Sequence, residues 1–332
     1  MTDNRPIILW LFSGCFLIFV MVVVGGITRL TNSGLSMVDW NLFMGAIPPL
    51  NEAEWQKTFD LYKKTPEYQK INFNYTLDNF KFIFFWEYLH RMIGRLLGLV
   101  FIIPFIYFLV KQKLNKKLIF QSSILFILGS LQAFFGWWMV KSGLVDKPDV
   151  SHYRLAVHLT TAFLTCGFTL WVALPMVVPK IKKGNKKIFS ILSVLFFLTI
   201  IQIIYGAFMA GLKAGVLYST WPKMGPDWLP EAVFLNESAQ VHFIHRTLAI
   251  IIVFLSFYLW KTASSQNLLV IQKKMLNILM LIIISQTLLG ILTLIYSVPF
   301  SLALSHQLLA FFMLMTTIFC LFIFRSRKQI DQ

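Results

Sequence analysis

Long apolar runs separated by polar connections make up most of this chain. A helix that crosses a lipid bilayer needs about 20 predominantly apolar residues, and eight runs approach or exceed that length. The pattern therefore predicts an all-α integral membrane protein with eight transmembrane helices. The predicted spans are residues 7–27, 82–110, 118–140, 153–178, 188–210, 240–260, 274–296 and 300–324.

The composition supports this assignment. Hydrophobic residues make up 57% of the 332 residues and charged residues only 13%, whereas soluble domains carry about a quarter charged residues. The net charge of +16 comes mostly from Lys and Arg between the runs, so it indicates membrane topology rather than nucleic-acid binding. Three cysteines lie inside apolar runs, and their spacing matches neither a disulfide nor a metal site. We therefore expect these cysteines to be small, buried apolar residues. They are Cys15, Cys166 and Cys320.

Basic connections alternate with neutral or mixed ones along the chain. The basic segments are 111–117, 180–187, 261–274 and the tail 325–328. The positive-inside rule places all four in the cytoplasm, and an even number of spans puts both termini on that side. The first run lacks a small-x-small cleavage site, so we interpret it as a membrane helix rather than a signal peptide. The absence of an Arg- and Ser-rich transit segment favours a bacterial inner (plasma) membrane.

Two of the outside connections are long. Residues 28–81 include a capping-box spacing followed by three aromatic residues on one helical face. These residues are Asn51 and Glu54, then Trp55, Phe59 and Tyr62. The short helix they predict either lies at the membrane surface or packs on the outer face of the protein itself. Residues 211–239 are typical of a series of turns.

The two halves of the chain resemble each other. Residues 25–40 align with 206–221, which pairs Gly25 with Gly206, Gly34 with Gly215 and Trp40 with Trp221. Further matches join 131–136 to 285–290, His90-Arg91 to His245-Arg246, and 155–162 to 303–310. We therefore predict two tandem, pseudo-symmetric four-helix bundles, residues 1–180 with the long outside loop and residues 181–332. Because each repeat holds an even number of spans, their symmetry axis should lie along the membrane normal.

Four of the six histidines occupy repeat-related positions five to eight residues past the starts of their predicted spans, about 10 Å deep. They form two predicted pairs, His90 with His158 and His245 with His306. Two imidazoles at one depth on facing helices are suited to axial ligation of a haem. A membrane histidine can instead hydrogen-bond a neighbouring helix, and a zinc site would lack Cys or carboxylate ligands.

Charged residues lie beside these histidines. Glu87 is one helical turn before His90 and is replaced by His242 in the second half, so it is a candidate for proton transfer. The alternative is a structural ion pair with Arg91 or another arginine. Five arginines near the outer helix ends are candidates for binding haem propionates, or they extend to the lipid headgroups. They are Arg29, Arg91, Arg95, Arg154 and Arg246. His152 and His242 either hydrogen-bond the ligand histidines or lie at the membrane interface.

Several stretches together resemble the haem A synthase family over nearly the whole chain. They are GGITRLTNSGLSMVDW, PPLNEAEW, FDLYKKTPEYQKIN, FWEYLHRMIGR, SHYRLAVHL and HFIHR. The resemblance implies two fused four-helix bundles and oxidation of a methyl group of haem O to the formyl group of haem A, for terminal cytochrome oxidase. It also implies a haem O synthase as upstream partner, in a lipid bilayer. Residues 28–81 lack the cysteine pair of some members, which is typical of the branch shared by mitochondria and Gram-negative bacteria.

The same resemblance assigns different roles to the two halves. It implies that His90 and His158 flank the substrate haem, with Glu87 near the reacting edge. It implies that His245 and His306 ligate a haem b cofactor. Two rival functions are a quinone-linked dihaem electron-transfer cytochrome and a transporter with a histidine proton relay. The electron donor or acceptor, the source of the formyl oxygen and assembly into a homo-oligomer stay open.

Overall fold

The structure, a computed structural model, describes residues 4–38, 47–144, 148–178, 181 and 184–325. Within these residues, eight helices are long and apolar enough to cross a membrane, which confirms the predicted all-α architecture and span number. They are α1 (Arg5–Leu30), α4 (Leu77–Val110), α5 (Lys116–Lys141), α6 (His152–Val177), α7 (Lys186–Gly211), α9 (Glu237–Ser264), α10 (Val270–Ile295) and α11 (Phe300–Phe324).

Polar caps outside the apolar runs decide where several of these helices begin. Thr76 accepts a hydrogen bond from the backbone of Asn79 at the start of α4. Asn115, Asn185 and Asn236 cap α5, α7 and α9 in the same way. A cap oxygen satisfies backbone N–H groups that have no partner inside the helix. The helices therefore extend beyond the apolar runs, and His90 lies 13 residues into α4.

One compact unit contains Met1–Phe12 and Cys166–Gln332. In it α7 packs against α9 and α11, and α10 packs against α9 and α11. The core that these four helices share is made of aliphatic and aromatic side chains. Its fully buried members include Ile188, Leu192, Leu195, Leu279, Ile283 and Phe324.

The other compact unit contains Ser13–Thr165. Two of its helices, α4 and α5, bury little of their length. Between Glu87 and Phe108, α4 has no buried residue, and among the described residues of α5 only Ser122 and Leu125 are buried. This unit therefore leaves long stretches of helix surface open. The predicted boundary between residues 180 and 181 stays a prediction.

The long outside loop packs on α4. It contains α2 (Glu52–Tyr62) and α3 (Pro66–Lys70), and Asn51 caps α2 as its spacing predicts. The rings of Phe59 and Tyr62 stack on Phe80 with centroids 5.2 Å and 5.1 Å apart. The aromatic face of α2 is therefore covered by the protein's own helix, as the second of the two alternatives predicts.

The second outside loop is mostly turns, as expected. It contains one 3₁₀ turn (Ala214–Val216) and the short helix α8 (Ala232–Leu235). The bond between Trp221 and Pro222 is cis. Trp40, the predicted repeat partner of Trp221, and the basic tail after Arg325 lie outside the described residues.

Candidate functional site

His245 on α9 and His306 on α11 face each other inside one compact unit. Their ring centroids are 6.5 Å apart and their planes meet at 76°. The Nδ1 atoms of both rings are buried and have no hydrogen-bond partner among the residues that the structure describes. Buried polar atoms in folded proteins are normally satisfied, so this pair of rings is suited to a ligand.

His90 on α4 and His158 on α6 form the corresponding pair in the other unit. The two rings lie close enough for their charges to interact. Both side chains are half-buried, although they lie within long apolar helices. The structure therefore brings together the two histidines of each predicted pair.

A glycine on the preceding long helix stands against each of these four histidines. A Cβ atom at Gly290 would lie 2.8 Å from Cε1 of His306, and one at Gly25 would lie 3.1 Å from Nε2 of His90. Side chains essentially never make the first contact, and the second would require the ring to shift by a few tenths of an ångström, so the missing side chain makes room for the ring. The corresponding distances are 3.3 Å from Gly136 to His158 and 3.4 Å from Gly206 to His245.

Three glutamines lie one turn before three of these glycines. Gln202 Nε2 donates to the backbone oxygen of His245 at 3.0 Å and is 3.4 Å from its Nε2 atom. Gln286 Nε2 is 3.4 Å from Nε2 of His306. In the amide orientation that satisfies both ends of Gln132, its nitrogen donates to His158 Nδ1 at 3.2 Å. Each of these glutamines thus contacts the histidine that its glycine accommodates.

Glu87 is a buried carboxylate with several partners. Its Oε1 atom is 2.5 Å from Nη2 of Arg91, one helical turn away on α4. Its Oε2 atom accepts hydrogen bonds from Ser36 Oγ at 2.7 Å and from the backbone N–H of Met37 at 2.9 Å. Glu87 therefore forms the ion pair foreseen as the alternative and also fixes the segment that follows α1.

The second half repeats this arrangement without the carboxylate. Arg91 donates to the backbone oxygen of Met37, and Arg246 donates to that of Tyr218 at 3.0 Å. Tyr218 aligns with Met37 in the repeat. His242 replaces Glu87, lies 5.9 Å from the ring of Tyr218 and is 1% exposed. In both halves an arginine therefore binds a backbone carbonyl of the outside loop, and the two halves differ in the ionisable residue beside that arginine.

The other candidate residues have separate surroundings. Arg154 Nη1 donates to the backbone oxygen of Trp138 at 2.7 Å, near the end of α5. Arg95 lies on α4 with Nη1 3.5 Å from the Met92 sulfur. Arg29 interacts electrostatically with Asp149, and His152 lies against its neighbour Tyr153.

Comparison with known proteins covers almost the whole chain. Residues 8–318 match the family model of COX15-CtaA, described as cytochrome oxidase assembly protein. A protein of Flavobacterium psychrophilum named "Heme A synthase" is 49% identical over 334 residues, 97% of this chain and 98% of the relative. This chain belongs to the COX15-CtaA family.

Other relatives of this COX15-CtaA chain carry the same name. A "Heme A synthase" of Flavobacterium johnsoniae is 47% identical and covers 94% of this chain and 96% of its own length. One from Nitrosospira multiformis is 40% identical, and the match covers 92% of this chain and 89% of the relative. This similarity extends over both histidine pairs.

Sequence reasoning on this COX15-CtaA chain missed the glutamines. It aligned residues 131–136 (LQAFFG) with 285–290 (SQTLLG) but assigned no role to the Gln and Gly that the two segments share. The spacing Gln-x-x-x-Gly also occurs at Gln202 and Gly206. The signal was therefore present three times, and the corresponding residue before Gly25 is Met21.

Among the described residues, no group of three or more His, Cys, Asp or Glu side chains could hold a metal ion. Each histidine pair therefore offers two imidazole ligands from the protein. Two imidazoles suit a metal whose other positions are filled by a macrocycle, as in haem proteins with two axial ligands.

Proposed function

We propose that this chain is a haem A synthase, an oxidoreductase of the membrane that converts a methyl group of haem O into a formyl group. The observation that carries this proposal is the curated relatives' shared name at 47–49% identity over at least 94% of the chain. The two repeat-related histidine pairs support it, because the reaction requires a site for the substrate haem.

His245 and His306 would hold a haem b cofactor. The fit rests on their buried Nδ1 atoms without partners and on the space that Gly290 leaves beside the His306 ring. Held by these two imidazoles, such a group would supply electron transfer. The role of the protein is to orient the two rings and to exclude water from them.

His90 and His158 would flank haem O. This assignment is supported by the open helix surface around them, since α4 and α5 bury few residues. A substrate that must enter and leave needs a site whose walls are not packed into a core. Residues 1–180 would accordingly form the substrate half, and residues 181–332 the haem b half.

Glu87 would act at the reacting edge of the substrate. Oxidation of a methyl group to an aldehyde removes protons and electrons in two rounds and adds one oxygen atom from a co-substrate such as water or dioxygen. A buried carboxylate can accept or pass a proton in such a reaction. Its hydrogen-bond partners, Ser36 and Met37, connect it to the segment after α1. The corresponding His242 would support the haem b site, and His152 the substrate site. The candidates for binding the propionates are Arg29, Arg91, Arg95, Arg154 and Arg246.

The protein spans the membrane several times. We place it in the bacterial inner membrane with both termini in the cytoplasm, because the basic connections alternate with neutral ones. A haem O synthase would supply the substrate, and a separate electron donor or acceptor would complete the reaction.

The test is complementation of a bacterium that lacks its own haem A synthase but retains haem O synthase. Expression of this chain should restore haem A in the membranes and activity of a haem A-dependent terminal oxidase. A variant with His90 and His158 both replaced by Ala, present at the same level in the membrane, should restore neither. Membranes that contain the chain with bound haem b but no haem A would contradict the proposal and favour a dihaem electron-transfer cytochrome.

A further inference from the structure

Glu87 and His242 occupy equivalent positions in the two halves, and each lies one helical turn before an arginine that binds the outside loop. In the first half, Glu87 forms an ion pair with Arg91. In the second half, His242 lies four residues before Arg246 on α9. Both side chains are buried, since the exposed fraction is 4% for Glu87 and 1% for His242. A buried imidazole therefore replaces the buried carboxylate of the first half.

The guanidinium of Arg246 is bound by neutral groups. It donates to the backbone oxygens of Lys223 and Tyr218 at 3.2 Å and 3.0 Å, and its Nε atom is buried without a hydrogen-bond partner. Among the residues that the structure describes, no carboxylate forms an ion pair with Arg246. An imidazole cannot supply a negative charge, because it is either neutral or positively charged. The second half therefore buries a positive charge whose equivalent in the first half is neutralised by Glu87.

This charge acts on the histidine pair that would hold haem b. Arg246 directly follows His245 on α9, and its charge is close enough to affect the ring of His245. An oxidised haem iron carries one more positive charge than a reduced one, so a nearby positive charge favours the reduced state. A unit charge about 12 Å away shifts such an equilibrium by about tenfold at an effective dielectric constant of about 20. Propionates occur on both haems, so they leave the difference between the two halves unchanged.

We propose that His242, in the place of a carboxylate, leaves the charge of Arg246 without a counter-charge and thereby raises the reduction potential of haem b. This inference rests on the proposed function, in which haem b binds between His245 and His306. The surroundings of a haem are among the means by which a protein sets its potential. The two halves would thus hold haem in the same way, through paired histidines, and differ in how readily the bound iron is reduced.

Redox titration of the purified protein with bound haem b, followed by visible absorption, tests this inference. His242→Glu recreates the pair that Glu87 forms with Arg91. It should lower the midpoint potential of haem b by about 59 mV, which is a tenfold change for a one-electron couple. Arg246→Gln removes the positive charge instead and should lower the potential by a similar amount. The haem b content and absorption spectrum of each variant report whether the site has formed.

His242→Gln is the matched control. It replaces the imidazole with a neutral amide, so the charge of Arg246 stays without a counter-charge and the potential should stay at the wild-type value. A packing role for His242 predicts instead that the Gln and Glu variants shift the potential equally, and that result would overturn the inference. Equal potentials in the wild type, His242→Glu and Arg246→Gln would also overturn this inference alone. Purified wild-type protein without haem b would instead overturn the roles of His245 and His306 in the proposed function.

Discussion

The side chains of Glu87 and Arg91 meet one helical turn apart on α4 and together bind both backbone groups of Met37. Glu87 accepts from the Met37 N–H at 2.9 Å, and Arg91 donates to the Met37 carbonyl oxygen at 3.2 Å. The pair therefore fixes the chain just after α1, on which Gly25 faces His90. A carboxylate proposed to act in the reaction is thus also part of the structure that shapes the site.

Replacement of Glu87 should separate these two roles. Glu87→Gln keeps the size and an acceptor oxygen but removes the charge, so we expect haem binding to persist while haem O oxidation stalls. Glu87→Ala should stall oxidation as well and lower the free energy of unfolding by about 3 kcal/mol, because the partly buried Arg91 loses its counter-charge. Haem A output and denaturant unfolding in detergent measure the two effects.

The control for these variants is Glu52→Gln, a change of an exposed carboxylate on α2, which should alter neither quantity. Normal haem A output from Glu87→Ala would eliminate a direct role for this carboxylate. Loss of bound haem in Glu87→Gln would show instead that the charge is needed to form the site.

The glycines beside the histidines predict a graded series of alanine variants. Gly290→Ala should reduce haem b content strongly, because the new Cβ would lie 2.8 Å from the ring of His306. Gly206→Ala should have a small effect, since 3.4 Å from the His245 ring is an ordinary contact. The amount of haem b per protein, measured by the pyridine haemochrome assay, ranks the variants by the size of their effect. Gly98→Ala, whose Cβ would meet nothing within 4 Å, controls for helix propensity, and equal losses in all three would refute the steric explanation.

The outside loop should lose stability at alkaline pH. Tyr62 is buried and hydrogen-bonds Glu67 at 3.0 Å and Asn72 at 2.8 Å; burial, followed by the neighbouring Glu67, raises the pKa of Tyr62. A raised pKa in the folded state means that the stability is fully present below about pH 10, the pKa of free tyrosine, and is lost as the pH rises further. Limited proteolysis of residues 50–75 across this range measures the effect.

Tyr62→Phe is the comparison for that titration. It should cost about 1–2 kcal/mol at neutral pH, because Glu67 and Asn72 lose a buried partner, and it should remove the part of the alkaline transition that Tyr62 contributes. A wild-type loop that stays resistant well above pH 10 while Tyr62 ionises would contradict this prediction.

Arg246 should hold the second outside loop. Its guanidinium donates to the backbone oxygens of Tyr218 and Lys223, and a hydrogen bond from a charged group contributes about 1.5–3 kcal/mol. Arg246→Met should therefore speed tryptic cleavage after Lys213 and Lys223, whereas Arg154→Met, a change in the other half, should leave it unchanged. Equal cleavage rates in wild type and Arg246→Met would show that the hydrogen bonds from Arg246 do not stabilise the loop.

The sequence predicts the eight spans well because each depends on a long local run of apolar residues. It predicts helix ends less well, since polar caps add turns that hydropathy ignores: α4 begins at Leu77, five residues before the apolar run. The histidine pairs could be predicted because the chain repeats them. The repeat also shows that Arg91 and Arg246 are equivalent, although not that each binds a loop carbonyl.

Contacts between distant residues explain what the sequence did not reveal. Gln202 lies 43 residues from His245, and a glutamine in an apolar run has no local pattern that indicates its partner. The aromatic face of α2 suited either lipid or protein, and only the position of Phe80 against it decides between them. Glu87 likewise has the same sequence signal whether it transfers protons or pairs with Arg91.

The most direct test of the central claim is the identity of the haems bound to the purified protein. The chain would be expressed with a haem O synthase in a host without its own haem A synthase, purified in detergent, and its extracted haems identified by chromatography and mass. We predict haem b together with haem A or a hydroxylated derivative of haem O. Haem b alone, with haem O available in the same membranes, would contradict the account.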